Sequence, residues 1–384
     1  MKKVVAAATL TTAIVIAPTA HAQSSVSLYG IIDAGLLYTN NVAKGGAHGS
    51  LVQATSGEIN GSRFGLRGAE DLGGGLKAIF VLENGFNVEN GKLGQDSKLF
   101  GRQAFVGLSS DRFGTVTLGR QYDSNTDYVL PLSAVAGTFG DTGFAHPFDN
   151  DNLNHGFRIN NAVKYASPAY AGFKFGGLYA FSNNQDFSLN RAYSFGASYH
   201  YGAFNAGAGY LQIDGSNSTI NTSGAIDTAE SPSNGTGGFV LGADVQRTAT
   251  AGVNYAYGPT TVGFVYSHSQ FENTRSFGSD NGTVRFDNYE VNGKYALTPA
   301  ISLGAAYVFT DGHVTRSSTF GSDPKWNQVN LQALYSFSKR TDVYIEGMYQ
   351  HVSGHGFVAF INNSGGASST ANQIVATAGL RTRF

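Results

Sequence analysis

From Ser25 to Phe384 the chain repeats one plan. A run of about ten residues alternates apolar with small or polar side chains, a turn follows, and another run begins. The connections alternate as well. Short turns read DLGGG (Asp71 to Gly75), DRFG (Asp111 to Gly114), SPAYAG (Ser167 to Gly172), YGA (Tyr201 to Ala203), YGPT (Tyr257 to Thr260), LTPA (Leu297 to Ala300) and SKR (Ser338 to Arg340). Long polar insertions fall near residues 40–58, 90–99, 123–157, 183–190, 214–245, 272–284, 311–325 and 353–371. Seven short turns and eight long loops join sixteen strands. A period of two puts successive side chains on opposite faces of a sheet, so each run has one apolar and one wettable face. The last segment shows it: Ile374, Ala376, Ala378, Leu380, Thr382 and Phe384 share one face, and Val375, Thr377, Gly379, Arg381 and Arg383 the other.

An even number of antiparallel strands, with short connections at one end and long ones at the other, predicts an all-β, 16-stranded antiparallel transmembrane β-barrel. A bilayer admits only helices or closed barrels, because every backbone polar group needs a partner there. No stretch beyond the N-terminus approaches 18 apolar residues, so helical spans are not expected. A soluble β-sandwich would not need so many strands or show this loop rhythm. Aromatic residues crowd strand ends, as in Phe173, Phe175, Tyr179 and Phe181, or Tyr344 and Tyr349, where rings at headgroup level are expected.

The N-terminus carries Lys2 and Lys3, an apolar run from Val4 to Pro18, and Ala20-His21-Ala22. This is the pattern of a cleaved secretory signal over residues 1–22, leaving a single barrel domain over 23–384. Losing two lysines moves the formal charge from -1 to -3. There is no cysteine, so neither disulfides nor thiolate metal sites enter. Near-neutral charge argues against a nucleic-acid partner. His351 and His355 are spaced H-x3-H, but at a strand end and in a Gly-rich loop, so no metal is expected. Asp71–Gly75 is Gly-rich without a following GK[ST], so it reads as a turn, and no segment sets Ser, His and Asp in a nucleophile context. No enzymatic activity and no cofactor are therefore expected.

Several stretches resemble the general diffusion porins of Gram-negative outer membranes, most closely the β-proteobacterial branch. They are SVSLYGIIDAGLLY (Ser25 to Tyr38), SRFGLRGAEDLGGGLKAIFVLENGF (Ser62 to Phe86), GRQAFVGLSSDRFGTVTLGRQYD (Gly101 to Asp123), YSFSKRTDVYIEGMY (Tyr335 to Tyr349) and the terminal GLRTRF. The resemblance implies an outer-membrane homotrimer for passive diffusion of small hydrophilic solutes and ions. It also implies contacts with outer-membrane lipid and lipopolysaccharide, delivery by periplasmic chaperones, and Phe384 as the signal to the barrel assembly machinery. The loop near Asn90 to Leu99 resembles one that latches onto a neighbouring subunit.

In the family the third long loop folds into the pore, which here is about residues 123–157. That segment has no sustained period and holds Asp123, Asp127, Asp141, Asp149 and Asp151. A structureless stretch of this length inside a compact domain marks a working part or a wrong assignment. Many relatives carry a Pro-Glu-Phe-Gly type segment here. This chain reads AVAGTFGDTGF, without glutamate, so Asp127 and Asp141 are expected to supply the acidic side of the constriction. Phase turns Arg63 and Arg67 inward against outward Phe64 and Leu66, and Arg102 inward against Phe105. By resemblance Arg63, Arg102 and Arg158 match the family's basic wall, with Arg67 and Arg120 as additions. More arginines than loop carboxylates imply weak to moderate anion preference. A substrate-specific channel and an adhesin or structural barrel are the competing readings. Asp33, in phase with Tyr29 and Ile31, is expected to face the lumen in a structural role.

Overall fold

The computed structural model describes residues 25–44, 47–136, 139–140, 142–227 and 241–384. The proposed signal segment and Asp141 lie outside the described residues. The strands are β1 (Ser25–Lys44), β2 (Ala47–Ser56), β3 (Arg63–Gly73), β4 (Leu76–Gly85), β5 (Gln103–Ser110), β6 (Gly114–Gln121), β7 (Ile159–Ala166), β8 (Phe173–Ala180) and β9 (Arg191–Tyr201). They continue with β10 (Phe204–Asp214), β11 (Val245–Tyr257), β12 (Thr260–Thr274), β13 (Gly282–Ala296), β14 (Ile301–Val314), β15 (Lys325–Ser336), β16 (Thr341–Ser353) and β17 (Asn372–Arg383).

Each strand pairs antiparallel with its sequence neighbour, and β1 closes the ring on β17 in a register that sets Ile31 opposite Arg383 and Thr39 opposite Val375. The seam is finished by Phe384, whose backbone N–H donates to Gly30 O at 3.1 Å while Gly30 N–H donates back at 3.0 Å. β2 and β3 are two halves of one barrel strand: β1 pairs with β3 over residues 25–31 and with β2 over 34–44. Seventeen segments, with that one interrupted, therefore make sixteen barrel strands. Closure leaves no sheet edge, so no strand N–H or C=O faces hydrocarbon unpaired, a deficit that costs several kcal/mol per group in lipid.

The strand ladders extend further into the long-loop side than the sequence pattern suggests. Residues near 40–58, expected as an insertion, are mostly the paired ends of β1 and β2, with a register shift between Thr39 and Val42. Polar side chains do not break a ladder above the bilayer, where both faces are wet. At the other end the turn after β3 has Gly73, Gly74 and Gly75 at φ of 85°, 62° and 78°, a left-handed run that side-chain-bearing residues disfavour.

Burial follows the alternation. Leu36, Val106, Phe195, Val291 and Ile345 point outward and are exposed, while their sequence neighbours face inward; Phe105, expected outward, is therefore on the inner face, and Arg102 turns inward because it precedes β5 and stands outside its alternation. Outward ring pairs at strand ends include Tyr179–Phe181 at 5.1 Å and Tyr335–Phe337 at 5.1 Å between centroids. Tyr344 departs from the expected aromatic belt: it is 2% exposed, because it shares the inward phase and its hydroxyl donates to Asp33 Oδ1 at 2.6 Å.

Candidate functional site

The described residues of the third long loop, between β6 and β7, lie against the inner wall of the barrel. Its first turn is the helix Ser124–Tyr128, capped by Asp123, whose carboxylate accepts from Asn125 N at 2.7 Å. The same carboxylate accepts from Asn152 Nδ2 at 2.7 Å, tying the outgoing limb of the loop to the returning one. The loop then follows a track of inward-facing glycines. A Cβ at Gly196 would sit 2.7 Å from the Tyr128 ring, one at Gly207 2.1 Å from Tyr128 O, one at Gly209 2.5 Å from Asn125 Oδ1, and one at Gly304 2.1 Å from the Phe139 ring. Glycine in a strand interior weakens the strand, and here it marks the close approach of a second chain segment.

Beyond the track, polar side chains of the wall hold the loop. Glu290 on β13 accepts from Ser133 Oγ at 3.0 Å and Ala134 N at 2.8 Å, and lies 3.3 Å from His146 Nε2. His146 Nδ1 meets Asp151 at 2.6 Å, and Asp151 also accepts from Ser267 Oγ at 2.5 Å. Near the loop's tip, Thr142 N donates to Glu58 O at 2.9 Å, in the gap between β2 and β3. Burial alone would lower the His146 imidazole, but Asp151 and Glu290 overcome it and push it up to about 10. Asp149, which also packs near this histidine, is raised as well: burial, then the Asp151 charge, push its carboxyl up to about 8. Because the folded value of His146 exceeds the ordinary 6.5, its contribution to holding the loop is whole below that pH and is lost as pH rises through about 10. Open-channel current noise should therefore rise several-fold above about pH 10 in the native barrel, and Glu290→Ala should show the same noise already at pH 7. Equal noise in the two proteins at pH 7 would remove Glu290 from the tether.

At the foot of the loop three expected arginines converge. Arg102 donates through Nε to Glu83 Oε1 at 2.8 Å and through Nη2 to Tyr122 OH at 3.0 Å and His155 Nε2 at 3.2 Å. Arg158 lies over the Tyr122 ring, 5.4 Å from its centroid, and donates to Gly156 O at 3.2 Å. Arg63 donates to Gly61 O at 2.9 Å, and a Cβ on Gly61 would lie 3.2 Å from Arg102 Nη1. Burial, then Arg102, Arg158 and Arg63, hold His155 well below the usual imidazole range, so it is neutral and accepts from Arg102. Glu83 carries no sequence signal for this role, because β4 lacks clean alternation. Glu83 is ion-paired with Arg102. Arg102 and Arg158 are buried, while Arg63 is half-buried.

The other two arginines stand differently. Arg67 is exposed, one β-turn side below the cluster, with its guanidinium 5.3 Å from the Tyr29 ring centroid. At four strand residues from Arg63 it lies roughly 13 Å further along the wall. Arg120 follows a bulge at Gly119, where φ is 135° and the register with β7 shifts. It donates to Gly101 O at 2.8 Å, Arg158 O at 3.3 Å and Asn160 Oδ1 at 2.5 Å, joining the bases of the second and third long loops. Asp127 ion-pairs with Lys164 of β7, whose Nζ also donates to Tyr122 O at 3.0 Å. Lys164 shares the inward phase of its strand, which is the one signal that marks it.

A closed sixteen-stranded barrel with a polar inner wall, an apolar outer face and a loop laid across its lumen is a membrane-spanning channel. The chain belongs to the Gram-negative porin family, whose model matches residues 6–355. An outer membrane porin protein of Bordetella pertussis is 34% identical, over 91% of this chain and 94% of the relative. Outer membrane porin protein 32 of Delftia acidovorans is 29% identical, over 85% of this chain and 83% of the relative. Among solved structures, an anion-selective porin from Comamonas acidovorans superposes with a TM-score of 0.74 at 24% identity, covering 94% of this chain and all of that one. A trimer form of the Vibrio cholerae outer membrane protein OmpT gives 0.63 at 18% identity, with 94% and 99% covered. The chain is an outer-membrane channel for passive diffusion.

Proposed function

We propose that this porin passes small hydrophilic solutes and ions with a weak to moderate preference for anions, and that the third loop sets its narrowest section. The observation that carries the reading is the charge balance at the loop's foot. Among the described residues, Arg102 is ion-paired with Glu83 while Arg63, beside it, donates to the Gly61 carbonyl, and loop Asp127 is answered by Lys164. A guanidinium stays charged at any working pH, so this positive charge is permanent. The Comamonas structure's description as anion-selective points the same way. Two features support a homotrimer: the broad exposed apolar outer face, and the existence of a trimer form of the structurally similar OmpT. The second long loop, proposed as the latch, is meanwhile braced within its own chain by Lys98–Asp227 at 3.0 Å. Phe384, whose backbone closes the seam while its ring stays exposed, is proposed as the assembly signal.

The test is the zero-current potential of single channels in planar bilayers across a KCl gradient. Its sign should report chloride over potassium, with ohmic conductance in steps of three. A cation-selective potential would overturn the anion reading, and conductance steps of one would overturn the trimer.

A further inference from the structure

At the long-loop end, between the third loop and the loops that follow β12, β14 and β16, lies a cavity of about 840 Å³. That volume falls within the range typical of small-molecule sites. Its wall is unlike the polar lumen below it. Phe148 of the third loop, Phe277, Phe320 and Phe360 all line it and all are half-buried, so each keeps ring surface toward the cavity. The rings are mutually arranged: Phe148 stacks on Phe360 at 5.9 Å and 22°, and meets Phe277 edge-on at 5.1 Å. A separate set, Phe271, Phe286 and Trp326, is fully buried behind them and supplies the packing that joins the loops. Phe148 and Phe277 hold φ of 63° and 55°. Bulky residues rarely adopt that conformation, and such strain concentrates at ligand-contacting sites.

The polar part of the lining is as specific. Arg275 is exposed on the cavity's rim and, among the described residues, no carboxylate lies within ion-pair distance of it. The one carboxyl on the floor, Asp149, is buried and accepts from Asn154 N and Gly156 N at 2.9 Å each, so it serves the loop's own turn. Burial and Asp151 raise it to about 8, which leaves it largely uncharged at neutral pH. The cavity therefore offers aromatic faces and one cation.

We propose that this cavity is a binding subsite for small aromatic carboxylates, the ring stacked among Phe148, Phe320 and Phe360 and the carboxylate paired with Arg275. Stacked aromatic pairs and a charge-assisted contact are both stronger in a partly dry pocket than in open water. The inference goes beyond passive diffusion and does not rest on the anion preference proposed above.

The chain's single tryptophan, Trp326, packs 5.8 Å from Phe148 and 5.6 Å from Phe357, so its emission reports on the cavity wall. The full barrel in detergent is titrated with benzoate, acetate, cyclohexanecarboxylate and benzyl alcohol. Benzoate should change Trp326 emission saturably, with acetate inert and cyclohexanecarboxylate and benzyl alcohol each about tenfold weaker, the loss of one good contact. Arg275→Gln, at an exposed position that leaves folding intact, should weaken benzoate about tenfold and leave benzyl alcohol unchanged. Phe320→Ala with Phe360→Ala should abolish saturation by both. A linear, non-saturating response to all four probes overturns the site, and an unchanged benzoate titration in Arg275→Gln overturns the carboxylate assignment. Because binding is read in detergent, these outcomes are independent of whether or how the pore conducts.

Discussion

A barrel carrying both Arg63→Gln and Arg158→Gln is expected to lose its preference for chloride. The cluster at the foot of the third loop brings Arg63, Arg102 and Arg158 together with Glu83, and the double substitution removes two positive charges from it. An ion passing about 5 Å from one uncompensated charge in a water-like medium gains or loses about 0.8 kcal/mol. Each charge acts with opposite sign on chloride and potassium, about 1.6 kcal/mol between the two ions, so removing two should lower the permeability ratio by at least roughly tenfold at 0.1 M salt, where screening extends about 10 Å, and change it little at 1 M, where it extends about 3 Å. Arg102 is the wrong single target. Its guanidinium and Glu83 are both almost fully buried, at 4% and 5% exposure, and removing one partner of such a pair costs roughly 3–5 kcal/mol. A paired change, Arg102→Met with Glu83→Leu, alters no net charge and should leave the zero-current potential in place. If Arg63→Gln with Arg158→Gln also left it in place, selectivity would have to arise elsewhere along the lumen.

The barrel is legible in the sequence because its two determinants are local. Alternation fixes which face meets lipid, and turn length fixes which end is which. Ile374 through Leu380 on one face and Thr377 through Arg381 on the other are placed by period alone. The neck is only half legible, because its partners meet across strands. Glu83 sits beside Arg102 only once β4 and β5 are in register, with Glu83 opposite Gln103. Lys164 answers Asp127 only once the loop's first helix is laid against the wall. Arg120 escapes the period altogether, since a bulge at Gly119 resets the phase that would have placed it. One readable signal went with the loop's course: inward-phase glycines at 196, 207, 209 and 304, which have no use in a wet wall unless something lies on them.

A stability effect as large as that of breaking the Arg102–Glu83 pair is expected at Asp33, away from the arginine cluster but in the same lumen. Asp33 is completely buried, and its carboxylate accepts from Ile59 N at 3.1 Å, Asn60 N at 2.9 Å and Tyr344 OH at 2.6 Å. These bonds satisfy the backbone where the second barrel strand breaks between β2 and β3, a place where the ladder itself supplies no partner. The break is also where the wall reaches other parts: Glu58 O takes Thr142 N from the third loop, the Glu58 carboxylate takes Asn363 Nδ2, and Asn60 Oδ1 takes Arg381 Nη1 at 2.6 Å. Asp33→Ala strands two amides and a phenol at once. With about 1–3 kcal/mol for each buried group left unpaired, and some recovered by lumen water, the net cost should be roughly 3–5 kcal/mol. Asp33→Asn keeps an acceptor on the same stem and should lose about half as much. Urea unfolding of the refolded barrel in detergent measures both, and the Asp33→Ala channel should in addition show a noisier open state as the loop's tip loses its anchor at Glu58. An unfolding midpoint for Asp33→Ala equal to that of the native protein would mean that the break is held by Arg381 and Asn60 instead, and the order of the two residues' substitutions would then have to reverse.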